Sequence, residues 1–133
     1  MPTVFEMIIK GDIPSVKVYE DADIIAILDI APKMKGHTLV ISKKVYETVA
    51  DCPAETLSKM FEVVKQLDRK MRSELGADGT NVFINNSPAS GQEVPHLHIH
   101  VVPRYDGDGL SFFPPSMEYE DGEMAEFGNK LKI

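Results

Sequence analysis

The sequence predicts an α+β domain built on a sheet of about five strands, with one short and one long helix. Three observations carry that expectation. Five short stretches are apolar, or alternate apolar with polar residues, and are bounded by Gly, Pro, Asn or Asp, as strands are. One long stretch, Asp51 to Leu75, repeats apolar residues every three or four positions, as an amphipathic helix does. Pro95 to Arg104 reads PHLHIHVVPR and places three of the four histidines at every second position.

Along the chain, Pro2 to Ile9 carries Val4, Phe5, Ile8 and Ile9 at helical spacing and Gly11 stops it, which predicts the short helix. Ser15 to Glu20 alternates Val16 and Val18 with Lys17 and Tyr19, a strand pattern, and Asp21-Ala22-Asp23 turns the chain. Ile24 to Leu28 is apolar throughout, which fits a strand covered on both faces, and Asp29 ends it. Ala31 to Gly36, with Pro32 and Gly36, is a loop from which Gly36-His37-Thr38-Leu39-Val40-Ile41 launches another strand. In the long helix Asp51 offers an N-cap and Pro53 an early helical position. Leu57, Met60, Phe61, Val64, Leu67, Met71 and Leu75 form its buried stripe, and Gly76 closes it. Thr80 to Ile84 is a strand, the small and polar run Asn85 to Gln92 is a loop, and the histidine strand follows. After Arg104, Asp106 to Gly109 is a turn and Phe112 to Pro115 is extended; residues 111–133 form an acidic tail on a single domain spanning 1–133.

In a strand, successive side chains point to opposite faces, so His96, His98 and His100 share one face while Leu97, Ile99 and Val101 share the other. Three readings of that row compete. Neutral imidazole is the commonest metal ligand, but at about 3.3 Å per residue the first and third Cα atoms stand roughly 13 Å apart. One ion would take two adjacent members and need further ligands, and the only cysteine, Cys52, lies near a helix start. No metal is expected. Nucleophilic catalysis needs a row rather than a cage: the central imidazole attacks phosphorus while its neighbours contact phosphate oxygens or hold its orientation. The third reading is a solvated strand face, against which three imidazoles on an otherwise apolar strand weigh. His37, at the start of another strand, is a hydrogen-bonding partner for the row, and Gly91 lets the Asn85 to Gln92 loop bring backbone N–H groups close to an anion. Asp29, by spacing alone, is a turn residue or cap.

Hydrophobic content of 43% with 26% charged residues describes an ordinary globular domain. Fourteen Lys and Arg against 21 Asp and Glu leave a net charge of −7, which argues against a nucleic-acid or anionic-membrane surface. A single cysteine excludes an intramolecular disulfide, and no basic start with an apolar run opens the chain, so a cytoplasmic location is expected.

With these residues the chain resembles the histidine triad (HIT) superfamily of nucleotide hydrolases and transferases, whose signature is His-φ-His-φ-His-φ-φ with φ apolar. His96-Leu97-His98-Ile99-His100-Val101-Val102 matches it throughout, and IIKGDIPS, VYED, LDI, GHTLVI and GQEVPH extend the match from about Phe5 to Leu110. The resemblance implies the HIT fold with its antiparallel sheet, a homodimer, a purine nucleotide substrate and no cofactor. It implies that His98 attacks the α-phosphate to form a nucleotidyl-histidine, and that the backbone carbonyl of His96 holds its tautomer. His100 would donate to the non-bridging oxygens and His37 would hydrogen-bond into the row. Asp29 would take the ribose hydroxyls, Ile27 and Ile30, with Ile13, the base, and Asn85, Gly91 and Gln92 the phosphate.

The chain departs from its relatives at two places. Some carry a zinc held by two cysteines, a histidine after the GHTLVI-type strand and the first triad histidine; the corresponding positions here are Thr3, Glu6 and Val45, so no structural zinc is expected. Where the phosphoramidase branch has serine or threonine after the Gly-Gln pair, this chain has Glu93. Nucleoside phosphoramidate hydrolysis therefore stands beside dinucleoside polyphosphate hydrolysis. A nucleotide-binding regulator with little turnover and a metal-binding module are the readings outside catalysis.

Overall fold

The structure is a computed structural model that describes residues 1–133. Helix α1 (Val4–Lys10) opens with a capping box: Thr3 Oγ1 accepts from the Glu6 N–H while Glu6 Oε1 accepts from the Thr3 N–H. Gly11, left-handed at φ 87°, closes it. Strands β1 (Lys17–Glu20), β2 (Ile24–Leu28) and β3 (Thr38–Ser42) follow, then helix α2 (Ala54–Leu75), β4 (Gly79–Phe83), β5 (His98–Arg104) and helix α3 (Glu123–Leu131). The five strands form one sheet in the order β1-β2-β3-β5-β4 with every pairing antiparallel, as expected of an α+β HIT fold. No helix is long and apolar enough to cross a membrane.

The sheet is covered on both faces, and the strand register decides what lies on each. Ile24 and Ala26 of β2, Val40 of β3 and Ile99 and Val101 of β5 pack with Leu97 against Met60, Val63, Val64 and Met71 of α2. On the opposite face Ile25, Ile27, Leu39 and Ile41 pack against Phe5 and Ile8 of α1. Ile41 pairs with His98 and Leu39 with His100, so on this second face β5 supplies imidazoles beside the hydrocarbon of β3. That places the histidine row on the strand between β3 and the edge strand β4, flanked by α1.

Four local expectations change. The ladder of β5 begins at His98 rather than Pro95, because the Leu97 N–H donates to Tyr46 O and the His96 N–H to Val94 O, away from any strand partner. Asp51 caps a separate 3-10 turn, Val49–Asp51, by accepting from the Thr48 N–H, and α2 starts after Pro53, which is its N-cap residue. β4 runs one residue earlier than Thr80 to Ile84. The C-terminal tail contains a third helix, α3, whose Met124, Phe127 and Leu131 are exposed; the expectation of two helices omitted it.

Gly36 sets the entry to β3. It sits at φ 100°, and a Cβ there would stand 2.9 Å from Leu75 Cδ1 and 3.3 Å from Pro103 Cγ. Gly36→Ala is expected to lower unfolding free energy by roughly 1–3 kcal/mol through backbone strain at a left-handed position. Denaturant unfolding checks this, and unchanged stability would show that the segment relaxes at no cost.

Candidate active site

The four histidines gather on one face of the sheet, and their hydrogen bonds assign each ring. His98 Nδ1 lies 2.7 Å from the backbone oxygen of His96. A carbonyl only accepts, so Nδ1 carries the proton and Nε2 holds a bare lone pair. His96 Nε2 lies 2.6 Å from Ser42 O and is protonated for the same reason. Its Nδ1 then accepts from Thr3 Oγ1 at 2.9 Å. His37 Nδ1 accepts from the Lys33 backbone N–H at 3.1 Å, so His37 Nε2 carries a proton and donates to His100 Nδ1 at 2.9 Å. His100 is left with Nε2–H. Two neighbouring rings, 4.9 Å apart between centroids, thus present opposite functions at Nε2: an electron pair on His98 and a proton on His100. Neither Nε2 has a protein partner, and no buried side-chain nitrogen or oxygen lacks one, so both reach the open face.

Burial keeps these rings neutral. Desolvation lowers the pKa of His96, His98 and His37 below the usual imidazole value, and the carboxylates of Asp29 and Glu93 partly offset it at His98. His100 is brought from 6.5 down to about 4, first by burial and then by the neighbouring His98 and His37. Aromatic rings close around the row. Phe5 of α1 meets His98 edge-on at 5.0 Å and His96 at 5.7 Å, and Phe83 of β4 lies flat on His100 at 4.4 Å.

The residues expected around a nucleotide fall at several depths. Asp29, at the end of β2, accepts from the Ala31 N–H, and its other oxygen lies 3.7 Å from His37 Nδ1. Ile27 is buried in the α1-facing cluster and Ile13 packs partly against it, whereas Ile30 is 98% exposed and touches no core. In the loop before β5, Gly91 is left-handed at φ 102°, and a Cβ there would come within 3.6 Å of Asn85 Nδ2, which places those two together. Gln92 faces the protein instead of open space: its Oε1 accepts from the Ser87 N–H and its Nε2 donates to Glu47 O, which braces the loop. Beside Phe83, Lys33, Asn81, Asn85, Phe112 and Phe113 line a cleft of about 410 Å³.

Two groupings bear on metals. Asp29, His37 and His100 bring donor atoms within 4.8 Å of one another. His37, however, has its Nδ1 lone pair taken by the Lys33 N–H and its Nε2 proton given to His100 Nδ1, so it keeps no free lone pair for an ion, and Asp29 Oδ2 stands 3.7 Å away without a hydrogen bond to it. At the zinc positions of some relatives, Thr3 and Glu6 are engaged in the capping box and Val45 has no donor atom, so these residues do not fit that ion.

Spacing did not single out Thr3, Phe5, Ser42 or Phe83 as neighbours of the row. Only Thr3 carries a sequence signal, since Thr-x-x-Glu before an apolar run is a capping box.

The HIT domain family matches residues 10–107. Protein hit of Bacillus subtilis is 46% identical over 131 residues, which cover 96% of this chain and 90% of that one. The adenosine 5'-monophosphoramidase of Schizosaccharomyces pombe is 35% identical over 132 residues, covering 98% and 96%. The crystal structure of a Zn-bound histidine triad family protein from Mycobacterium smegmatis superposes with a TM-score of 0.79 at 42% identity, covering 95% of this chain and 87% of that one. By sequence and by fold the chain belongs to the histidine triad family.

Proposed function

We propose that the protein is a hydrolase that binds a purine nucleotide and cleaves it at the α-phosphate through a covalent intermediate on His98, with nucleoside 5'-phosphoramidates as its substrate class. The observation that carries this reading is the pair of opposite tautomers: a bare Nε2 on His98 beside an Nε2–H on His100. The His98 lone pair forms a bond to phosphorus as the phosphorus–nitrogen bond of the substrate breaks, and the departing amine takes a proton from solvent. The imidazolium so formed keeps its Nδ1–H on His96 O, which stabilises the positive ring. His100 donates to a non-bridging oxygen as negative charge builds there. Water then attacks phosphorus, releasing the nucleoside monophosphate and returning His98 to its neutral form. In this reading Asp29 receives the ribose hydroxyls, Ile13, Ile27 and Ile30 flank the base, and Asn85 and Gly91 adjoin the phosphate.

Glu93 stands where the phosphoramidase branch has serine or threonine, and its negative charge acts at His98, so it bears on the choice of leaving group. A second reading, dinucleoside polyphosphate hydrolysis, draws on the cleft lined by Phe83, Phe112, Phe113 and Lys33, which suits a second base with an adjacent anion. The reading includes a homodimer, since β4 presents an edge with no strand beside it.

Incubation with adenosine phosphoramidate and diadenosine tetraphosphate side by side is expected to yield AMP from the first, and His98→Ala is expected to abolish that turnover while nucleotide binding survives. Cleavage of the dinucleotide alone would favour the second reading, and a variant that lost binding as completely as turnover would remove His98 from the nucleophile's role. Acid should act late. Protonation of His98 removes the attacking lone pair, and burial moves that protonation below 6.5, so the acidic limb of kcat/KM should be centred below pH 6.5; an acidic limb centred above 6.5 contradicts the burial argument. Sedimentation should give twice the chain mass, and a monomer at micromolar concentration would refute the dimer.

A further inference from the structure

Outside the rings that face substrate, one side chain has a hydrogen-bonding role not accounted for by its own helix. Thr3 Oγ1 accepts from the Glu6 N–H at 3.1 Å, which is the whole of its task as an N-cap. Its proton remains free, and the group 2.9 Å away is Nδ1 of His96, 93 residues along the chain. That nitrogen is an acceptor because Ser42 O holds the ring's only proton at Nε2. His96 is fully buried, so in the intact protein Thr3 and not water is the donor to this nitrogen. The same residue's backbone oxygen holds the Nδ1–H of His98. Orientation therefore passes from Thr3 to the His96 ring, to the His96 backbone, and to the nucleophile.

We propose that Thr3 is a positioning residue for His98, which fixes the His96 ring through one hydrogen bond. A ligand on one imidazole nitrogen fixes the tautomer and plane of the ring whether that ligand is an ion or a hydroxyl proton. The capping box supplies what a flexible hydroxyl lacks. With its lone pair engaged by the Glu6 N–H and its own N–H held by Glu6 Oε1 at 2.9 Å, Thr3 is locked before it meets His96. The edge of the Phe5 ring against both His96 and His98 keeps α1 seated over them.

The role rests on the proposed reaction at His98, so the test pairs a kinetic arm with one that needs no substrate. Glycine is a nearly adequate N-cap and has no hydroxyl, whereas serine keeps both functions. Thr3→Gly is expected to lower kcat for adenosine phosphoramidate roughly 10-fold, with KM changed less than about 2-fold, while Thr3→Ser stays near the parent protein. A Thr3→Gly variant with parental kcat would show that Thr3 is a cap and nothing more. A fall in melting temperature with Thr3→Ser failing to restore kcat would likewise overturn the proposal. In the substrate-free arm, nitrogen NMR of the parent protein should find neutral His96 protonated at Nε2 with Nδ1 accepting, and Thr3→Gly should shift the Nδ1 resonance. A His96 protonated at Nδ1 overturns the proposal even if the protein proves to turn over no phosphoramidate, while the expected tautomer with no turnover counts against the proposed activity alone.

Discussion

A carbonyl oxygen accepts hydrogen bonds and never donates them, and the histidine face takes its chemistry from that one asymmetry. Because His96 O and Ser42 O can only accept, His98 is protonated at Nδ1 and His96 at Nε2. Because the Lys33 backbone N–H can only donate, His37 is protonated at Nε2 and donates a hydrogen bond to His100 Nδ1. Three backbone groups, none of them titratable, thereby determine which imidazole offers electrons and which offers a proton. Side-chain identity alone would leave two adjacent histidines interchangeable.

Backbone groups hold such an assignment only if the strands carrying them do not move, and the two-sided sheet provides this. β5 lies between β3 and β4, with α2 packed on one face and α1 beside the row on the other. The same burial that immobilises the rings also strips their water. This lowers their affinity for protons, so they stay neutral at the pH where an unburied imidazole would be partly charged. A fully dry row could not meet a substrate. The structure resolves that tension by burying the carbon edges and the Nδ1 side of His98 while leaving its Nε2 open.

Much of this was legible in the order of residues, for a physical reason. Alternation of side chains along a strand is a local property, so His96-Leu97-His98-Ile99-His100 separated the histidine face from the core face without any knowledge of the fold. The same held for the doubly buried β2 and for Met60, Val64 and Met71 of the α2 stripe, whereas Phe61 and Leu75, expected in that stripe, are exposed because they lie on its margins beyond the sheet's cover. Two ring partners, His37 and the His96 carbonyl, were expected, but the others were not legible. Thr3, Ser42 and Lys33 come to the row from different segments, and no spacing rule links them to it. Gln92 reads as a polar residue beside a phosphate loop, yet a backbone oxygen and N–H on neighbouring turns claim its amide first. Helix α3 was missed although Met124, Phe127 and Leu131 have helical spacing, because the flanking acidic residues gave the stretch the look of a solvated tail. Strand and helix starts shifted where a loop backbone found a partner outside the ladder, as Leu97 did with Tyr46.

The separations in sequence across the histidine face have a consequence for how the chain acquires its site. The contacts that assign His98 and His37 are local, but three others on this face join residues 54, 63 and 93 positions apart, and each of these closes a long loop whose entropy is lost before the contact repays it. Secondary structure can form early without any of them. The assignments of His96 and His100 are therefore among the last features to be established, in the step that docks β5 between β3 and β4 and seats the N-terminal helix. A chain caught part-way through folding carries every imidazole but has not yet fixed the proton that His100 presents, so for this protein the complete donor–acceptor pair and the completed topology arrive together.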